Sequence, residues 1–269
     1  MNHFSVAAIQ MVSTSSPSEN MQTAARLVQQ ASLRGAQLVL LPEYFCLLSP
    51  VESDKWIHAE QYGHGPLQTA LSELAARHQI WLIGGTLPLK SPVHGRVFNS
   101  QLVYAPDGQC VARYDKIHLF NFKGQTESYD EGKSVAAGDK PIVVSLPFGK
   151  VGLSTCYDLR FPELYRSFGA VDLIVVPSAF TATTGRAHWE PLLRARAIEN
   201  QCYVLAAAQG GEHAGGRLTW GHSLLVDPWG EVVDALSFGE GILSGVVSLD
   251  RIQDVRQALP ALSHRVLDY

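Results

Sequence analysis

Basic charge is in short supply. Lys and Arg number 21 against 25 Asp and Glu, a formal net charge of -4 over 269 residues. Nothing gathers into the basic stripe that a phosphate backbone requires, so no nucleic-acid partner is expected. Long apolar runs are lacking too, with none approaching the roughly 18 residues of a membrane span. Met1 to Ile9 has no basic segment followed by an apolar core, and the expectation is a cytoplasmic protein with no membrane partner. Cysteine is sparse: Cys46, Cys110, Cys156 and Cys202 stand far apart with no Cys-x-x-Cys pair, which argues against a zinc site and a disulfide framework.

What is present is the composition of a folded globular protein, 46% apolar and 17% charged, well away from disordered chains. Without a repeat or a low-complexity linker, one domain over residues 1–269 is expected. Ser5 to Gln10 is a short apolar run that reads as a buried strand. Met21, Ala24, Ala25, Val28 and Ala31 then keep helical spacing, Gly35 supplies a stop, and Gln37 to Leu41 is again a strand, which makes a βαβ unit. The alternation recurs with a helix through Leu67, Leu71 and Leu74 and a strand over Ile80 to Thr86. Asn99 to Ala105 and Gln109 to Tyr114 flank Pro106-Asp107-Gly108 as a hairpin, so the sheet is expected to be mixed. Further strands are expected at Ile142 to Leu146, Lys150 to Thr155, Asp172 to Val176, Cys202 to Gln209, His222 to Val226, Glu231 to Leu236 and Ile242 to Ser248. Phe161 to Phe168 and the segment through Trp189, Leu193 and Ile198 read as helices. The class is α/β, with sheets covered by helices.

Three positions combine a reactive side chain with the end of a strand, where α/β sheets tend to place their sites. Cys156 follows a strand and precedes a helix, a turn that exposes a nucleophile and aims the next N–H, that of Tyr157, at a developing oxyanion. The competing reading is a small buried hydrophobe, which is retained for the other three cysteines, least securely for Cys46. Glu43, in Leu41-Pro42-Glu43, is either a loop charge or a general base. Lys116 stands among apolar and aromatic residues after the strand that ends at Tyr114, where an isolated lysine is usually a solvated charge. Glu127 is weaker still when taken alone. His118, His188, His213 and His222 remain rival bases, since histidine is the usual partner of a catalytic cysteine.

Leu41-Pro42-Glu43, Tyr114-Asp115-Lys116-Ile117-His118-Leu119 and Ser154-Thr155-Cys156-Tyr157-Asp158-Leu159-Arg160-Phe161-Pro162-Glu163 together resemble the Glu, Lys and Cys motifs of the nitrilase (carbon-nitrogen hydrolase) superfamily. Pro177 to Glu190, Leu193 to Val204 and Ala206 to Gly211 point to its Nit branch, the deaminated glutathione amidases and ω-amidases. The resemblance implies an α-β-β-α four-layer sandwich, a small-molecule amide substrate and no metal or organic cofactor. It also implies a homodimer paired through helices, for which the helix near Leu192 to Ile198 is the candidate, with packing against its own sheet as the alternative. By the same likeness Cys156 is the nucleophile, Glu43 the base, Lys116 an oxyanion stabiliser, and Glu127 the second glutamate that positions Lys116 or the substrate. Arg160, with Phe180 and Thr184, is expected to line the pocket and hold a substrate carboxylate. A salt bridge from Arg160 to Asp158 or Glu163 is its alternative.

Overall fold

The computed structural model describes residues 2–125 and 127–267. The first half of the chain forms β1 (His3–Gln10), α1 (Pro17–Leu33), β2 (Leu38–Leu40), α2 (Asp54–Ile57), α3 (Pro66–His78), β3 (Trp81–Ile83), β4 (Leu87–Lys90), β5 (Val97–Tyr104) and β6 (Cys110–Asp115). A small hairpin, β7 (Asn121–Lys123) and β8 (Ser128–Asp130), and the short β9 (Val135–Ala136) follow. The second half forms β10 (Ile142–Leu146), β11 (Gly149–Leu153), α4 (Pro162–Ser167), β12 (Leu173–Ser178), α5 (Ala182–Asn200), β13 (Tyr203–Ala208), β14 (Leu224–Val226), β15 (Val232–Ala235), β16 (Gly241–Ser248) and α6 (Leu249–Ala258).

Strands that read as unbroken apolar runs do so because both their faces are covered. Along β1, Phe4, Val6 and Ala8 face one core while Ala7 and Ile9 face another. In β2 the division is Leu38 and Leu40 against Val39. Among the described residues the strands make an eight-stranded sheet with the path β16-β1-β2-β3-β5-β4, a six-stranded sheet ordered β10-β11-β12-β13-β14-β15, and the separate β7–β8 pair. Both large sheets are mixed: β1, β2 and β3 run parallel beside antiparallel β16 and β5, and β11, β12 and β13 run parallel between antiparallel β10 and β14.

Three cores set four layers. Leu27, Val28, Leu71 and Leu74 of α1 and α3 pack on the outer face of the first sheet. Val6, Leu40 and Val103 meet Val151, Val175 and Leu205 between the sheets. Tyr165, Trp189, Leu193 and Ala197 of α4 and α5 cover the outer face of the second sheet over Ile174, Val176 and Val204. The order is therefore α-β-β-α.

Local sequence explains the ends that matter for the site. Ser16 caps α1 by accepting from the Glu19 N–H, with Pro17 in the first turn. The strand expected through Thr86 stops at Ile83 because Gly84 and Gly85 turn the chain beneath the loop after β2. Gly85 has φ of +53°, and a Cβ there would lie 2.1 Å from the Pro42 carbonyl oxygen, so only glycine lets that loop settle so low. The strand β4, the β7–β8 hairpin, β9, α2 and α6 were not expected from the sequence. They are short, or, as in β4 with Pro88, carry a residue that reads against a strand.

Candidate active site

Glu43, Lys116 and Cys156 lie far apart in the chain, yet each follows a strand, β2, β6 and β11 respectively, and the two sheets bring these ends together. All three line one cavity of about 240 Å³, with Glu43 and Lys116 each 1% exposed and Cys156 7%. The Lys116 ammonium donates to Glu43 Oε1 at 2.9 Å and to Glu131 Oε2 at 2.7 Å. Asn99 donates to Glu43 Oε1 at 3.0 Å and to Glu131 Oε1 at 3.3 Å. The backbone N–H of Ala179 donates to Glu43 Oε2 at 2.9 Å, while Tyr44 O–H at 2.5 Å and the Phe120 N–H at 2.7 Å complete Glu131.

The electrostatics follow from this arrangement. Burial works against the charge on Lys116, but the carboxylates of Glu131 and Glu43 outweigh it and hold the ammonium well above its ordinary pKa. Burial likewise opposes ionisation of Glu131, but Lys116 and the donors around it keep its carboxyl below the usual range. Cys156 is pushed well above an ordinary thiol by burial and by the Glu43 charge, with Lys116 pulling the other way. Cys156 thus rests as a thiol beside the Glu43 carboxyl group. Two of the three ammonium N–H groups are engaged by carboxylates, which leaves a third to donate to substrate.

Cys156 has φ of +50° and opens the 3₁₀ turn Cys156–Arg160 directly after β11. As the second residue of that turn, Tyr157 has an N–H without an intrahelical acceptor. The turn is anchored from below by the fully buried Asp158. Its carboxylate accepts from Thr155 N–H at 2.8 Å, Tyr114 O–H at 2.6 Å and His118 N–H at 3.0 Å, and contacts His118 Nδ1 at 2.7 Å. One side chain therefore ties the cysteine turn to the lysine segment.

Phe180, Thr184 and Arg160 line the same cavity. The Arg160 guanidinium contacts His188 Nδ1 at 3.2 Å and lies 5.4 Å from the Phe180 ring centre, and no salt bridge joins it to Asp158 or Glu163 among the described residues. The rival histidines are engaged elsewhere. His118 is on Asp158, His213 bridges the Ser13 carbonyl and Thr219 hydroxyl, His222 contacts the Trp220 carbonyl, and none of the four lines the cavity.

Glu127 requires correction. The second carboxylate on Lys116 is that of Glu131, directly after β8, whereas Glu127 accepts from Tyr129 O–H at 3.2 Å and stays outside the cavity lining. The three residues of β8 separate the two, and only the turn that follows β8 swings its glutamate inward. Its neighbour Thr126 lies outside the described residues. Tyr44, Asn99 and Arg217, which also serve this site, carry no motif of their own.

Of the other cysteines, Cys46 and Cys202 are buried small residues and Cys110 is half-buried. Burial pushes the Cys202 thiol up to about 12 and raises Cys46 and Cys110. Cys46, the least certain of them, packs in the core beneath α1 and α3 and donates weakly to the Thr86 carbonyl. Among the described residues no three His, Cys, Asp or Glu side chains gather as metal ligands, and no helix is long and apolar enough to cross a membrane.

The carbon-nitrogen hydrolase family matches residues 5–257. The chain is 42% identical over 274 residues to a deaminated glutathione amidase of Synechocystis, covering 99% of each. It is 37% identical to the omega-amidase NIT2 of Mus musculus over 271 residues, 100% of this chain and 97% of that one. The C. elegans NitFhit crystal structure superposes with a TM-score of 0.90 at 38% identity, covering 99% of this chain and 66% of that one. Family match, relatives and fold agree: this chain belongs to the carbon-nitrogen hydrolase family and is one of its amidases.

Proposed function

We propose that this chain hydrolyses a 2-oxo-acid amide through a thioester on Cys156, with deaminated glutathione, split to 2-oxoglutarate and cysteinylglycine, as its substrate. The observation that carries the reading is the meeting of Glu43, Lys116 and Cys156 on one cavity, with Glu43 fixed by three donors and Lys116 by two carboxylates.

In this reading Glu43 takes the Cys156 proton as the sulfur attacks the amide carbonyl carbon. The two carboxylates and one ammonium of the cluster carry a net negative charge, so a proton received by Glu43 neutralises it. The oxygen that becomes negative is met by the free Lys116 N–H and by the Tyr157 N–H, donors typically worth about 3–4 kcal/mol each in such transition states. Glu43 returns its proton to the departing amine, and the C–N bond breaks to leave an acyl thioester. Water then gives a proton to Glu43 and attacks the thioester. The acid departs and the proton returns to sulfur.

Arg160, without a carboxylate partner among the described residues and set over Phe180, suits the carboxylate of the 2-oxo acid. A homodimer is proposed as the working form. Ile198 on α5 and Trp229 after β14 are half exposed and are brought near each other as Arg194 donates to the Gly230 carbonyl at 2.8 Å. Cytoplasmic placement is proposed as well, in keeping with four free thiols.

The test is kcat/KM for deaminated glutathione and for 2-oxoglutaramate side by side. Preference for the first is expected; preference for the second would make the chain an ω-amidase, the function of the mouse relative to which it is similar.

A further inference from the structure

Among the described residues five cations line the cavity, and three have a carboxylate within 4 Å. Lys55 donates to Glu52 at 2.8 Å, Lys133 lies 3.9 Å from Asp130, and Lys116 is held by two carboxylates. Arg160 and Arg217 have no carboxylate partner among the described residues. Arg217 Nη2 donates to the Ala179 carbonyl at 3.1 Å, and the guanidinium lies 5.3 Å from the Tyr129 ring centre. Its Nε is buried and has no acceptor among the described residues. A buried charged donor left without an acceptor is costly, and a guanidinium edge offers the paired N–H geometry that a carboxylate fills.

Location distinguishes the two arginines. Ala179, which holds Arg217 through its carbonyl, holds Glu43 Oε2 through its N–H at 2.9 Å. In the proposed mechanism Glu43 protonates the departing nitrogen, and its link to Arg217 through Ala179 assigns Arg217 to the amine side of the scissile bond. Arg160 leans on Tyr157 and Phe180, 5.8 and 5.4 Å from their ring centres, beside the oxyanion donor.

We infer that Arg217 anchors a carboxylate carried by the leaving group, so that the two arginines bracket a dianionic amide with one carboxylate on each half. This rests on the proposed reading of the site as one for a 2-oxo-acid amide. It deepens that reading, because the cysteinylglycine half brings a terminal carboxylate and the ammonia released from 2-oxoglutaramate brings none.

The experiment compares deaminated glutathione with its glycinamide counterpart, identical but for an uncharged terminus, on wild type, Arg217→Gln and Arg217→Lys. Wild type is expected to favour the free carboxylate by about 10- to 100-fold in kcat/KM, mostly through KM, the size of a lost charge-assisted hydrogen bond. Arg217→Gln brings that ratio to near one, and Arg217→Lys recovers part of it. Calorimetric binding of the same pair to Cys156→Ala, with and without Arg217→Gln, gives the ratio without turnover. A wild-type ratio near one, a ratio that survives Arg217→Gln, or an equal loss on both substrates through kcat would overturn the inference. The last would mean that Arg217 only steadies Ala179 and Glu43. A wild type that prefers 2-oxoglutaramate would reject the substrate reading separately, while the ratio and its response still decide Arg217.

Discussion

At the scale of residues, the site depends on Lys116 being shared. Glu131 holds its ammonium at 2.7 Å and, in the proposed mechanism, supplies the second negative charge that lets Glu43 accept a proton. Glu131→Gln is therefore expected to lower kcat by about 10- to 100-fold, the range associated with a small misplacement of a reacting group. Glu127→Gln should stay near wild type, and equal losses in the two variants would contradict the assignment. The same substitution has a stability signature. The Glu131 pKa is lowered in the folded protein, so its contribution is fully present above the unfolded carboxyl value of about 4.3 and is lost as pH falls through the lower folded value. Unfolding midpoints followed through that acid range should fall less steeply in Glu131→Gln than in wild type. Glu43, Lys116 and Cys156 were legible because each sits in a motif that follows a strand. Glu131 was not, since its inward turn depends on the β7–β8 hairpin, and neither was Arg217, whose meaning comes from Ala179 and Tyr129 across the cavity.

Among the elements, the strand-to-turn junctions place the chemistry. Asp158 fastens the Cys156 turn to the Lys116 segment through acceptors for Thr155, Tyr114 and His118. Asp158→Ala leaves these buried donors unpaired and is expected to cost about 3–5 kcal/mol of stability. Urea unfolding measures it, and a loss too small to resolve would show that the anchor is dispensable. Strands β1, β2, β12 and β13 could be read from sequence because burial on both faces leaves an unbroken apolar run. By contrast, α6 buries only Ile252 and Val255, too few to mark a helical face, and β4 reads poorly around Pro88.

For the molecule as a whole, the four layers follow from three cores, and apolar side chains stay in view on the outer surface, among them Ile198 on α5 and Trp229 after β14. The helix proposed for pairing turns Leu193 and Ala197 into its own core and leaves Ile198 50% exposed. Sedimentation should find a dimer that Ile198→Asp converts to monomer, whereas a monomeric wild type would remove the assembly from this account. The layering was legible in the alternation of strands and helices, but which faces meet a second copy was not, because one apolar helix face serves either purpose.

The most direct test of the central claim is turnover of deaminated glutathione and 2-oxoglutaramate by Cys156→Ala, set against wild type with folding checked by thermal melting. A folded variant whose amide hydrolysis has fallen to the uncatalysed background is the predicted result. A folded variant that still hydrolyses either amide at a rate comparable to wild type would contradict the assignment of Cys156 as nucleophile and the thioester route built on it.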